Sequence, residues 1–268
     1  MKRCRLTLGF LLLSTGLTLV GCTSHIHTTA DAEIGYVNVA SLPDGSNNIN
    51  PIRLQALEET ASTLGARGAL AFRSERINTS LEKQTNYLDQ VFNFNQLLMK
   101  HNVLPPVLTQ SNETLALNDS KTLRTADQTY EILSPARFVT APPNWREYLW
   151  MSYPKPDLPD KSLLPTSKEE ALVWNTYLDK GWLQGLQQAN DIFDSNLNRL
   201  KRDYTGMVLY RTLLAQNMIS SPAVSKAELG VTGDANSLRI NDQIMRITAE
   251  STLNPDSKQW QPVLTKGP

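Results

Sequence analysis

One apolar stripe constrains this chain more than any other feature. Trp174, Leu178, Trp182, Gly185, Ala189, Phe193, Leu197, Leu200, Tyr204 and Met207 follow one another in steps of three or four. A strand places its apolar residues at steps of two, so this spacing predicts a long helix. The opposite face carries Asn175, Asp179, Gln184, Gln187, Asp191 and Asn198, which marks a solvated helix with one buried stripe and not a membrane span. Thr166 and Ser167, each followed three residues later by Glu169 or Glu170, form two overlapping capping boxes at its start. The signal lasts to about Met218, before Ser221 and Pro222. Gly181, Gly185 and Ala189 stand four apart, which lets a neighbouring helix approach closely. Gly206 is expected to kink or interrupt the rod.

A second helix begins at "NINPIRLQALEETASTLGARGALAF". Asn50 suits an N-cap, Pro51 suits the first turn, and Leu54, Leu57, Ala61, Leu64, Gly68 and Phe72 keep helical spacing. Leu81, Leu88, Val91 or Phe92, and Leu98 extend that spacing to Pro105 and Pro106, which must end it. Between Thr109 and Val139 short alternations at Thr122 to Thr125 and Tyr130 to Leu133, with Asp127 and Gln128 between them, predict a few strands. Pro154, Pro156, Pro159 and Pro165 predict an extended connection. The tail, "NSLRINDQIMRITA", predicts a hairpin turning at Asn241 and Asp242, a pair that tolerates positive φ. The expected fold class is α+β, a mainly helical body with a small antiparallel sheet.

The N-terminus reads differently. Lys2, Arg3 and Arg5 precede an apolar run that ends at Leu19, Val20, Gly21 and Cys22. At about fifteen residues the run is short of the ~20 that span a bilayer and has the layout of a signal peptide. Its end resembles the bacterial lipobox, in which cleavage between Gly21 and Cys22 leaves a lipidated Cys22 as the first mature residue. Thr23 in place of Asp favours the outer membrane, facing the periplasm. The expected organisation is a signal peptide at 1–21, a flexible tether at 22–50 and a body at 51–268. Removal of the signal takes three basic residues from a chain with 26 Lys+Arg and 26 Asp+Glu, which leaves 23 against 26, or −3. That balance makes no electrostatic case for binding nucleic acid. Cys4 leaves with the signal and Cys22 is acylated, so the mature fold rests on packing without a disulfide.

Motifs that carry chemistry are scarce. The chain has no GxxxxGK[ST] loop, GxSxG elbow, HExxH or CxxC; "LGVTGDAN" lacks the lysine and predicts a turn. His25 and His27 sit in the tether, and His101 is expected to cap a helix end. No metal site and no cofactor is therefore expected. Glu58 with Glu59 and Glu169 with Glu170 are adjacent and diverge around their helices, whereas glycan cleavage needs two carboxylates facing across a cleft. An accessory cell-wall hydrolase is the alternative reading. "RLKRDY", Arg199 to Tyr204, is a short basic stretch better explained as a solvated helix face. Trp145, Arg146, Tyr148 and Trp150 form an aromatic turn after Pro143 that serves either the core or a partner. Since Trp, Tyr and Arg dominate interfaces, these four residues and the proline-rich arm after them are the candidate partner surface.

Longer stretches carry a resemblance. "RLQALEETASTLGARGALAFR", "LDQVFNFNQLLMKHNVLPPVL", "RFVTAPPNWREYLWM", "NRLKRDYTGMVLYRTLLAQNM" and "VSKAELGVTGD" together resemble the DotC family of outer-membrane lipoproteins from type IVB secretion systems. The conjugation relative, TraI of I-type plasmid transfer, is the closer fit in length and lipobox. The resemblance implies a structural, non-catalytic subunit, held by its lipid on the periplasmic face of the outer membrane. It implies a ring-forming hetero-oligomer with a DotD-like lipoprotein and a DotH-like outer-membrane subunit, and no direct contact with nucleic acid. The cargo would be conjugating DNA with pilot proteins, or protein effectors.

Overall fold

Two helices with small residues on their facing stripes organise the molecule. The computed structural model describes residues 35–45 and 49–262. The signal peptide, Gly21, Cys22 and the start of the tether lie outside the described residues. In chain order the structure forms α1 (Pro51–Lys83), α2 (Thr85–Val91), β1 (Val103–Leu104), β2 (Val107–Asp119), β3 (Thr122–Ser134), β4 (Arg137–Phe138), α3 (Trp145–Leu149), α4 (Lys168–Ala215), β5 (Ala223–Gly233) and β6 (Leu238–Ala249). The fold is α+β and mainly helical, with three separate two-stranded antiparallel sheets, β1–β4, β2–β3 and β5–β6, among the described residues.

Asn50 starts α1 as expected: its side chain accepts the Ile52 N–H at 2.9 Å, and Pro51 fills the first position, where no intrahelical donor is needed. The helix stops at Lys83 and not near Pro105. Gln84 leaves helical geometry, so Leu88 belongs to the separate α2 and Leu98 to no helix. Ser167 caps α4, accepting the Glu170 N–H at 3.3 Å. Contrary to expectation, α4 runs unbroken through Gly206. That glycine instead admits the backbone of Leu108, which a Cβ would strike.

Helices α1 and α4 lie side by side and point the same way. Arg53 meets Glu170, Ser62 meets Gly181, Ala66 meets Gly185, and Arg73 donates to Asn190 at 2.8 Å. A Cβ on Gly65, Gly181 or Gly185 would fall far closer than 3.0 Å to a backbone atom of the other helix, so absent side chains set the approach. Leu57, Ala61, Leu64, Trp174 and Leu178 close the seam at the first half of α4. A larger cluster around Phe94, Leu104, Trp145, Leu149, Leu200 and Met207 fills its second half.

A parallel pair needs a long return. After α3 the chain from Met151 to Leu164 lies along α1 in the opposite direction. Asn78 bonds the Met151 backbone in both directions, at 2.7 and 3.2 Å, and the Arg53 guanidinium donates to the Ser162 and Leu164 carbonyls at 2.5 and 2.6 Å. Of the thirteen steps, ten are extended at ~3.1 Å and three lie in the 3₁₀ turn Lys161–Leu163 at ~2 Å, about 37 Å together, close to the ~38 Å that separate Asn78 from Arg53 on a helix. The prolines therefore stiffen a strap across the molecule, the extended connection expected of that segment. The segment Gly35–Gly45, expected as tether, is fastened to α4. Trp174 Nε1 donates to the Gly35 carbonyl at 2.8 Å, Asn175 pairs with both backbone groups of Val37, and Lys168 meets Asp44 at 2.7 Å.

The strands also differ in detail from expectation. Thr122–Thr125 and Tyr130–Leu133 fall in one strand, β3, with Asp127 and Gln128 inside it. In the tail the turn lies at Asp234–Ser237, and Asn241 and Asp242 sit within β6. Asn241 does take positive φ, 57°, where the register with β5 shifts.

Candidate assembly surfaces

The aromatic turn is built by a complete capping box between Asn144 and Glu147. It turns Trp145 inward to 1% exposure, where Nε1 donates to Asp89 at 2.6 Å. Trp145 is therefore core and not partner surface, because its ring is enclosed while its Nε1–H reaches out to a surface carboxylate that α2 supplies. Arg146 lies over that ring at 4.3 Å and reaches Asp89 at 3.4 Å and the Thr85 hydroxyl at 3.2 Å. Tyr148 is half-buried, stacked on Phe94 at 6.0 Å, and donates to Asp203 at 3.2 Å. Burial, with the Asp203 carboxylate, pushes its hydroxyl up to about 12. Of the four candidates only Trp150 and Arg146 keep substantial outward surface. Trp150, at 42% exposure, lines a shallow groove of about 390 Å³ with Ser74, Asn78, Glu82 and Tyr153.

The paired carboxylates are occupied locally. Glu170 accepts from the Arg53 guanidinium at 3.1 Å, and from the Thr166 N–H and hydroxyl at 2.8 and 3.1 Å. Those bonds, Arg53 first, hold it below the usual carboxylate range. Glu169 points away to the Gly45 N–H at 2.8 Å, and Glu59 accepts from Gln55 at 2.8 Å. His101 does not end a helix. It occupies a short turn before β1 with φ 62° and is exposed. In the basic stretch Arg199 covers Tyr148 at 5.2 Å, Arg202 meets Asp203 at 2.9 Å, Leu200 is buried and Tyr204 packs edge-on to Phe92 and Phe94. His25 and His27 lie outside the described residues. Among the described residues no group of three His, Cys, Asp or Glu is placed to hold a metal ion.

Outward apolar residues gather on the hairpins. Hairpin β2–β3 roots on a cluster in which Leu108, Tyr210, Leu213 and Ile219 are buried with Tyr130 and Met218 packed on them, and β5–β6 leaves the same cluster through Ile219, which bridges to Leu253 past the end of β6. Beyond that root both faces of each hairpin are largely open to solvent. Leu117 opposes Leu123 and shares its face with Leu115; Val231 opposes Ile240 and shares its face with Leu238. All six are more than half exposed. Sequence reasoning missed them as a surface. The period-two spacing of Leu115 with Leu117, and of Leu238 with Ile240, was the available signal, but alternation alone does not say whether the apolar face is covered.

No curated protein matches the chain. The TraI family, described as type IV secretory system, conjugal DNA-protein transfer, matches residues 51–262. That span begins at the first residue of α1 and takes in both helices, the strap and both hairpins. The chain belongs to the type IV secretory system family of conjugal DNA–protein transfer.

Proposed function

We propose that this protein is a lipid-anchored structural subunit of the outer-membrane core complex of a type IVB conjugation or secretion machine. It works on the periplasmic face beside a DotD-like lipoprotein and a DotH-like outer-membrane subunit. One observation carries the reading: the chain from the N-terminus and the exposed hairpins meet the rod at opposite ends. Gly35 is bound at Trp174, whereas both hairpins leave from the end of α4 at Tyr210 and Leu213, about 54 Å further along a helix rising 1.5 Å per residue. Thirteen Cα-to-Cα steps lead from Cys22 to Gly35, a reach of at most ~45 Å. An anchor at Cys22 thus holds one end of the rod near the lipid and leaves the hairpins for other subunits.

Membrane fractionation of Cys22→Ala tests this. One acyl chain holds a protein only marginally, while several hold it stably, so the variant should leave the outer-membrane fraction and transfer should fall. Wild-type amounts in that fraction from cells lacking the partner subunits would refute the anchor.

A further inference from the structure

We infer that the two exposed hairpins are complementary halves of one contact between copies of this chain, β2–β3 of one copy lying along β5–β6 of the next. An isolated two-stranded hairpin is marginal in water, and each hairpin here leaves its outer strand edges unpaired beyond the shared root. Unpaired edges template further strands. The hairpins match in length, thirteen residues per strand against eleven and twelve. Each is interrupted inside one strand by a residue in the left-handed region, Glu113 at the middle of β2 with φ 50° and Asn241 nearer the tip in β6 with φ 57°. Each ends in a three-residue apolar face, Leu115, Leu117 and Leu123 on one, Val231, Leu238 and Ile240 on the other.

For hairpins aligned tip to tip, charge selects the unlike pairing. The root half of β2–β3 carries Glu113, Asp127 and Glu131 with no base, whereas that of β5–β6 carries Lys226 and Arg246 against Glu228. At the tips the signs reverse. Lys121 and Arg124 outnumber Asp119 on the first hairpin; Asp234 and Asp242, whose carboxylate accepts the Thr232 hydroxyl toward the tip, outnumber Arg239 on the second. Tip-to-tip alignment of unlike hairpins opposes net charges of opposite sign in both halves. Two copies of β2–β3 would instead set three carboxylates against three. A bilayer is the poorer occupant, because hydrocarbon offers no partner to the free strand edges. A contact between two different surfaces of identical chains is head-to-tail and builds a ring or an open row.

The inference rests on the assembly role proposed above, and fractionation of Cys22→Ala tests that role without reference to the hairpins. Residues 23–268 contain no cysteine, so disulfide trapping in cells carrying the whole transfer system reports the contact. Leu117→Cys and Leu238→Cys, each expressed alone, should give no dimer beyond wild type. Expressed together they should give a disulfide dimer at least tenfold above either alone, and both substitutions in one chain should give a ladder of multimers. Dimers from either single variant alone would overturn the unlike pairing. Absence of cross-links at normal protein level and normal transfer would overturn the contact. Thr125→Cys with Val231→Cys repeats the test on the same two faces should a Leu substitution lower the protein level.

Discussion

Replacing Gly181 by alanine sets two effects of known sign against each other. In a helix interior Ala is better than Gly by about 1 kcal/mol, so on propensity alone the variant gains stability. The new Cβ, however, meets the backbone of Ser62, carbonyl oxygen first. Ordinary carbon contacts lie near 3.5 Å, so the methyl group is more than about 1 Å too close, and a backbone carbonyl inside α1 cannot swing aside. The helices must part along a seam that buries Leu57, Ala61, Leu64, Trp174 and Leu178. Overpacking of that kind costs about 3 kcal/mol, leaving a net loss of about 2 kcal/mol. For a body of this size that lowers Tm by roughly 4–8 °C. Adding Gly185→Ala should cost less than its single value, because one separation relieves both clashes. Ser195→Ala, exposed on the same helix, isolates propensity and should stabilise by about 0.5 kcal/mol. Thermal unfolding followed by circular dichroism decides the matter: a Gly181→Ala protein as stable as wild type would refute the close parallel seam.

Trp145→Ala should cost about 3–5 kcal/mol in thermal unfolding, and Trp145→Phe about 1–2 kcal/mol, since it keeps a ring but loses the Nε1–H bond to the Asp89 carboxylate. A fully stable Trp145→Ala would return that residue to the interface. Glu170 has its carboxyl held below the usual range when folded, so its contribution is present above the unfolded carboxylate pKa and is lost as pH falls through the lowered folded value. The stability gap between wild type and Glu170→Gln should therefore be widest near neutral pH and close on acidification, as read by urea unfolding at each pH.

Much of the helical architecture was legible because it rests on local signals. Asn50, Ser167 and the stripe from Trp174 to Met207 declare helix starts and faces through spacing and capping alone. The small residues Gly181 and Gly185 correctly announced a close neighbour, but nothing local names Ser62 and Ala66 as that neighbour or fixes the parallel direction. The tail hairpin shows the same limit. Asn241 tolerates positive φ, and it takes it, but as an irregularity inside β6. The turn went to Asp234, whose carboxylate accepts the Asn236 and Ser237 N–H groups at 2.8 and 2.9 Å, a bond pattern that competes with a two-residue turn. Trp145 was ambiguous because an aromatic residue serves a core and an interface equally well. Its acceptor, Asp89, lies 56 residues away, and only the fold brings the two together.

The parallel seam also imposes an order on how the chain comes to be folded. Ser62 and Gly181 are 119 positions apart, and closing a loop of that size costs on the order of 4 kcal/mol before any contact repays it. A chain emerging N-terminus first completes α1 long before the residues that cover its glycine-lined face exist. Such non-local topologies fold slowly and leave apolar surface open meanwhile. The same glycines that give the finished molecule its tightest contact make its newest form dependent on waiting, and on whatever shields α1 until α4 arrives.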